Sequence, residues 1–248
     1  MADPYNFQNR AAQARVQSGA MIDEGLRAYM LKVYNLMALG LAITGVAAFA
    51  TWQLAVQGGH ITPFGAAIYQ SPLRWVVMLA PIAVVFFLSF RINRMSTGAA
   101  QGVFWLYAAL MGVSLSSIFL VYTGQSIVQT FFVTAASFGA LSLYGYTTKR
   151  DLSAMGSFLI MGLFGLIIAS IVNIFLASSA MAFAISVIGV LIFAGLTAYD
   201  TQKIKEMYYE ADDVAMTGRK AIIGALTLYL DFINLFMFLL QFLGNKDR

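Results

Sequence analysis

Asp231 stands near the middle of a 23-residue run, Ala221 to Leu243, whose only other polar side chains are Thr227, Tyr229, Asn234 and Gln241. A carboxylate at the centre of a membrane-spanning helix costs roughly 2.5–3.5 kcal/mol on insertion scales, so it faces a bundle interior or an aqueous cavity and has a partner. A second carboxylate, Asp200, ends the preceding apolar run in Leu196-Thr197-Ala198-Tyr199-Asp200-Thr201-Gln202. If the two meet, they share one proton and titrate as a unit, which makes a pH sensor. The shared proton draws two helices together; its loss introduces repulsion or frees one carboxylate to pair with a cation. Arg91 and Arg94, at and just after the inner end of the second apolar run, are the cations available on that side. Asn234, three residues beyond Asp231 on the same helix face, offers another oxygen. Calcium takes six to eight oxygens, so two carboxylates with amide, backbone and water oxygens make a transient site rather than a tight one. Two plainer readings stay open. Asp200 is also read as a solvated helix-end residue paired with Lys203 or Lys205, and Asp231 as a structural residue bonded to Thr197 or Tyr199.

Other chemistries are excluded by the residues present. The chain has no cysteine, which removes disulfides, thiolate metal sites and a cysteine nucleophile. Its single histidine, His60, lies between the first two apolar runs, far from any helix that could pair it with Ser114, Ser116 or Ser117, and one histidine cannot make a zinc-protease pair. The last apolar run holds no lysine for a retinal Schiff base, and no phosphate-binding glycine loop is present. The expectation is a protein that is not an enzyme and carries no cofactor.

These residues belong to a chain that is 60% hydrophobic and only 10% charged, with a mean hydropathy of +0.77, against about 25% charged in ordinary soluble domains. An all-α membrane protein follows. Seven stretches, about 31–54, 74–91, 101–123, 126–148, 153–176, 180–200 and 221–243, are long enough to cross the bilayer, which takes about 20 helical residues. The net charge of +4 reflects basic residues in short loops, which set topology rather than bind nucleic acid. Of the 15 Lys and Arg residues, only Arg74, Lys246 and Arg248 fall on one side of the seven crossings. That bias places the N-terminus in the cytoplasm and the C-terminus outside.

The expected organisation is a polar cytoplasmic tail, residues 1–28, and a seven-helix membrane domain, residues 29–248. Small residues such as Ala135-x-x-x-Gly139 and the series Gly156, Gly162 and Gly165 predict close helix packing, and Pro81 predicts a kink in the second span. The acidic stretch Glu206 to Asp213 reads as a solvated loop able to draw cations to the inner mouth. With no cleavable signal, the first span directs insertion, and the short loops suit a bacterial plasma (inner) membrane.

Specific strings carry a resemblance. Thr197-Ala198-Tyr199-Asp200-Thr201-Gln202 with Ile204, then Leu228-Tyr229-Leu230-Asp231-Phe232-Ile233-Asn234-Leu235-Phe236, resemble the paired signature of the Bax inhibitor-1 family, also called the transmembrane Bax inhibitor motif family. Met111-Gly112-Val113-Ser114-Leu115-Ser116 and Lys149-Arg150-Asp151-Leu152 add to it, so the likeness covers the chain from about residue 30 onward. The resemblance implies seven helices with the last at the centre and a pH-sensitive calcium leak. Asp200 and Asp231 match the family's sensing aspartates, and Arg91, or else Arg94, its latch to the first of them. Thr197, Tyr199 and Asn234 are expected beside the ion pathway, with Asp200 and Asp231 as transient calcium ligands. Calcium and protons would then be the species handled. Some bacterial relatives are associated with modulating a membrane-bound ATP-dependent protease, which gives a second expectation, an interaction role centred on the polar tail. A proton/cation exchanger is the third, because a buried carboxylate pair serves that mechanism too.

Overall fold

The computed structural model describes residues 4–246, with side chains from Glu24 onward. The polar tail expected over 1–28 therefore lies mostly outside the described side chains. Helix α1 (Pro4–Ala55) leads into a two-stranded hairpin, β1 (Val56–Gln57) and β2 (His60–Ile61), then the short α2 (Pro63–Tyr69). There follow α3 (Leu73–Arg91), α4 (Thr97–Leu115), α5 (Gly124–Thr147), α6 (Ser153–Leu176), α7 (Ser179–Glu206) and α8 (Val214–Leu243). Single 3-10 turns extend α3 through Arg94 and α4 through Leu120. Among the described residues, seven helices are long and apolar enough to span a membrane, so the chain is a multi-pass, all-α membrane protein.

Residues 55–73, between the first two apolar runs, hold local structure that run length does not predict. Gly58 and Gly59 adopt φ of +57° and +78°, the pair of positive values that a tight hairpin turn requires. Thr62 then caps α2, accepting from the Gly65 N–H at 3.1 Å, with Pro63 at the first helical position, where its missing N–H costs nothing. His60 is exposed on this hairpin.

Burial orders the bundle. In the most apolar part of α8, 67% of residues are buried, against 6% in α6. Helix α8 is the axis, contacted by α7, α1, α5 and α4, whereas α6 leans on α7 and α3 on α4 and α2. Three residues within one turn of α8 show how one helix serves three neighbours. Tyr229 shares a hydrogen bond with Thr44 of α1 at 2.6 Å, Asp231 turns toward α7, and Phe232 meets Phe131 and Phe138 of α5 edge-on. The 100° step per residue of an α-helix distributes them this way.

Both ends of α8 are fixed. At its C-terminal end the Asn245 N–H donates to Ser126 Oγ at 2.9 Å, and Asn245 O accepts from the Thr123 N–H at 3.2 Å. At the other end Lys220 pairs with Asp212 and donates to Met207 O at 2.9 Å. Asp213 Oδ1 caps α8 by accepting from the Met216 N–H at 2.6 Å. Two of the four carboxylates in the acidic stretch thus fold the α7–α8 connection onto itself. Helix α7 runs six residues past Asp200, and α8 starts seven residues before Ala221. Apolar content marks where a helix meets lipid, not where its hydrogen bonds stop, which is why both helices outrun their apolar runs.

Candidate functional site

The site is assembled from the two strings that hold the aspartates. On α7 each residue around Asp200 has its own anchor. The Ala198 backbone lies against Gly145 of α5 and the Tyr199 ring against Gly156 of α6, approaches so close that a Cβ at either glycine would overlap its neighbour. Thr201 Oγ1 donates to Thr197 O at 2.7 Å and contacts Ser142 Oγ of α5 at 2.9 Å. Ser142 in turn contacts the Tyr34 hydroxyl of α1 at 2.6 Å. Gln202 reaches the α5–α6 turn, accepting from the Leu152 N–H at 2.9 Å and donating to Arg150 O at 2.8 Å. Asp200 is the one polar residue of this segment left to face α8.

There it meets Asp231, the two carboxyl groups lying close enough to interact. Asp231 is only 4% exposed, and its Oδ2 is buried with no hydroxyl, amide or cationic donor. A carboxylate only accepts, so two of them form a hydrogen bond only where one is protonated.

Both aspartates open onto one cleft of about 550 Å³ between α6, α7 and α8. Its polar lining is a short stripe formed by Asp200, Thr227, Asp231 and Asn234 with Ser170 opposite; Ile160, Leu163, Ile167, Phe193 and Phe238 supply apolar walls. Asn234 Nδ2 donates to Leu230 O at 2.8 Å, which leaves its side-chain oxygen toward the cleft as an acceptor. Farther along α8, Leu235, Phe236, Leu239 and Leu240 are buried, so apolar packing closes the bundle beyond the stripe.

The other residues singled out in the sequence lie elsewhere. Thr197 is fully buried, its hydroxyl donating to Phe193 O at 2.7 Å, and it does not line the cleft. Neither does Tyr199, whose ring covers Gly156 and lies under the Lys203 ammonium at 5.8 Å. Successive residues of a helix diverge by 100°, so neighbours of Asp200 in sequence face other helices. Neither residue bonds Asp231. Lys205 donates to Tyr146 O at 2.8 Å rather than to Asp200, and Lys203, one turn on, is the cation whose field reaches Asp200. Arg91 and Arg94 are exposed, at the end of a helix that packs on α4 and α2. Among the described residues the only ion pair is Lys220 with Asp212, so neither arginine latches Asp200 in this structure.

Sequence reasoning missed Thr227, Ser170 and the bracing roles of Gln202, Ser142 and Tyr34. Thr227 precedes Asp231 by four residues, one helical turn, and that spacing alone could have found it. Ser170 and Ser142 carry no such signal, because only tertiary packing brings Ser170 to the cleft and Ser142 to Tyr34 and Thr201. No group of three or more His, Cys, Asp or Glu residues converges among the described residues. Two carboxylates, an amide and two hydroxyls are oxygen donors of the kind hard cations take, fewer than the six to eight of a tight calcium site.

Comparison with known proteins gives a consistent picture. The family model described as inhibitor of apoptosis-promoting Bax1 matches residues 26–248. The chain is 52% identical over 224 residues to an uncharacterised Rickettsia prowazekii protein, RP147, covering 90% of this chain and 92% of that one. It is 48% identical over 225 residues to the Escherichia coli inner membrane protein YbhL, covering 90% and 93%. An uncharacterised Caulobacter vibrioides protein is 49% identical over 234 residues, 91% of each chain.

Proposed function

The chain belongs to the Bax inhibitor-1 family, and from that premise we propose that it is a pH-sensitive, calcium-permeable leak channel gated by the Asp200–Asp231 pair. The contact between these carboxyls inside a cleft walled by apolar side chains is the observation that carries the reading. With one proton shared, α7 and α8 are held together and the stripe ends against the packed side chains of Leu235, Phe236, Leu239 and Leu240. When that proton leaves, two like charges face each other in a poorly solvating cleft. The population then shifts toward a state in which α7 and α8 separate or a cation enters between them. Calcium is cargo in this scheme, met in transit by Asp200, Asp231 and the Asn234 oxygen.

The arginine latch belongs to a further conformation. Either Arg91 or Arg94 would reach Asp200 only after the end of α3 closes on α7. Leak that is unchanged in both Arg91→Ala and Arg94→Ala would remove the latch from the scheme. The reading places the chain in a bacterial plasma membrane, as the name of the Escherichia coli relative suggests, with the N-terminus in the cytoplasm and no enzymatic step.

The deciding experiment is calcium flux into liposomes holding the purified protein, across about pH 6 to 8, for the native chain and Asp231→Asn. Flux that rises with pH and is flattened by the substitution supports the gate. Uphill calcium movement driven by a proton gradient would replace the leak with an exchanger. Absence of flux at every pH in folded protein would transfer the function to protease modulation through residues 1–28.

A further inference from the structure

Small residues in a membrane helix ordinarily mark a helix–helix contact, yet several glycines here have none, Gly45 and Gly139 among them. A Cβ added at Gly45 of α1 or at Gly139 of α5 would meet no heavy atom within 4 Å. Both line cavities flanked by α1 and α5, the second also walled by Leu115, Ile118 and Phe119. The first, about 590 Å³, is bounded by Arg27, Tyr34 and Met37 of α1 and by Gly139, Leu143 and Tyr146 of α5. The second, about 310 Å³, continues beyond Phe138 with Gly45 and Ala48 of α1, Phe131 and Phe132 of α5, and Phe232 of α8 as its floor. Helices α1 and α5 each pack on α8 without packing closely on one another, so an apolar groove runs between them along the bundle, remote from the cleft that holds the aspartates.

The two ends of this groove differ in charge. No charged residue lines the second cavity. At the mouth of the first lies the exposed Arg27; Lys149 and Arg150 follow α5 directly, and Lys205 is tethered at 2.8 Å to the carbonyl of Tyr146, a lining residue. Asp23, Glu24, Asp151 and Glu206 are the acids nearby in sequence. Among the described residues Arg27 is the only charged one that lines either cavity.

We propose that the α1–α5 groove is a binding site for an anionic phospholipid, with an acyl chain lying along Gly139 and the phosphate at Arg27. The apolar walls match the chain, and the cation at the mouth falls where a lipid phosphate meets the surface. A helix would need a second small-residue face to enter this groove, whereas a flexible chain fits it without one. The Tyr34 and Ser142 hydroxyls at the wall already bond each other at 2.6 Å, so the groove asks for no polar group at depth.

The test is native mass spectrometry of the delipidated full chain, titrated with phosphatidylglycerol and with phosphatidylcholine of identical acyl chains. Phosphatidylglycerol should be retained roughly five-fold more tightly, the ratio expected for one interfacial basic residue. Arg27→Ala, an exposed change that leaves the fold intact, should equalise the two lipids. Gly139→Phe, which fills the groove, should weaken retention of both. Equal retention of the two lipids by the native chain overturns the headgroup assignment, and retention unchanged in a folded Gly139→Phe variant overturns the site.

Discussion

Gln202 of α7 holds the turn between α5 and α6, accepting from the Leu152 N–H at 2.9 Å and donating to the Arg150 carbonyl at 2.8 Å. Two residues earlier on the same helix, Asp200 contacts Asp231. The segment that presents the carboxyl is thereby braced against a loop at the membrane surface. Gln202→Leu leaves two backbone groups without their partner, at a cost of about 1–3 kcal/mol. Thermal unfolding in detergent should show a lowered midpoint, and hydrogen exchange at Leu152 should quicken.

The aspartates should behave as one unit. Asp200→Asn and Asp231→Asn are each expected to flatten the pH profile of flux, and the double variant to add nothing further. Groups in direct contact give strongly non-additive effects. Additive flattening in a double-mutant cycle would show two independent sensors.

Tyr199 lies directly on Gly156, where α6 is held to α7. Gly156→Leu forces the ring or the helix aside, and overpacking of this kind costs about 1–3 kcal/mol. Partial recovery of the unfolding midpoint in Gly156→Leu with Tyr199→Ala is the expected sign that the ring is the obstacle.

Thr44 ties three helices, bonding the Tyr229 hydroxyl at 2.6 Å, Ala108 O at 2.8 Å and Gly40 O at 3.0 Å. Tyr229→Phe removes one bond while the single Thr44 O–H still has a carbonyl to donate to, so it should cost about 0.5–1.5 kcal/mol. Thr44→Val strands the Tyr229 hydroxyl in the core and should cost more, about 1–3 kcal/mol. Chemical unfolding of the two variants side by side measures the order.

Asp151 gives a pH dependence of known sign. The Ser153 hydroxyl and backbone N–H beside it hold its carboxyl below the usual carboxylate range, the N–H donating to Oδ1 at 2.8 Å. A lowered folded value means the contribution is complete above the unfolded value and disappears as pH falls through the folded one. Asp151→Ala should therefore lower the unfolding midpoint slightly at neutral pH, with a difference that closes in strong acid.

Composition and hydrophobic run length were enough to determine seven spans, because a helix in lipid must be apolar for about 20 residues whatever its neighbours are. The polar residues Asp231 and Asn234 were legible for the same reason, since each stands out in such a run. Sequence order could not assign directions. Thr197, Tyr199 and Asp200 are near neighbours in the chain, yet the helical rotation sends only Asp200 to the cleft while the others face buried contacts. The glycines divide in the same way: Gly156 is pressed by a ring, whereas Gly139 looks onto open groove. The positions of Arg91 and Arg94, away from Asp200, depend on which helix α3 packs against. The sequence determined what must be buried in the membrane. Tertiary packing decided which buried groups meet, because contacts between helices depend on their rotation and order, which no local run of residues encodes.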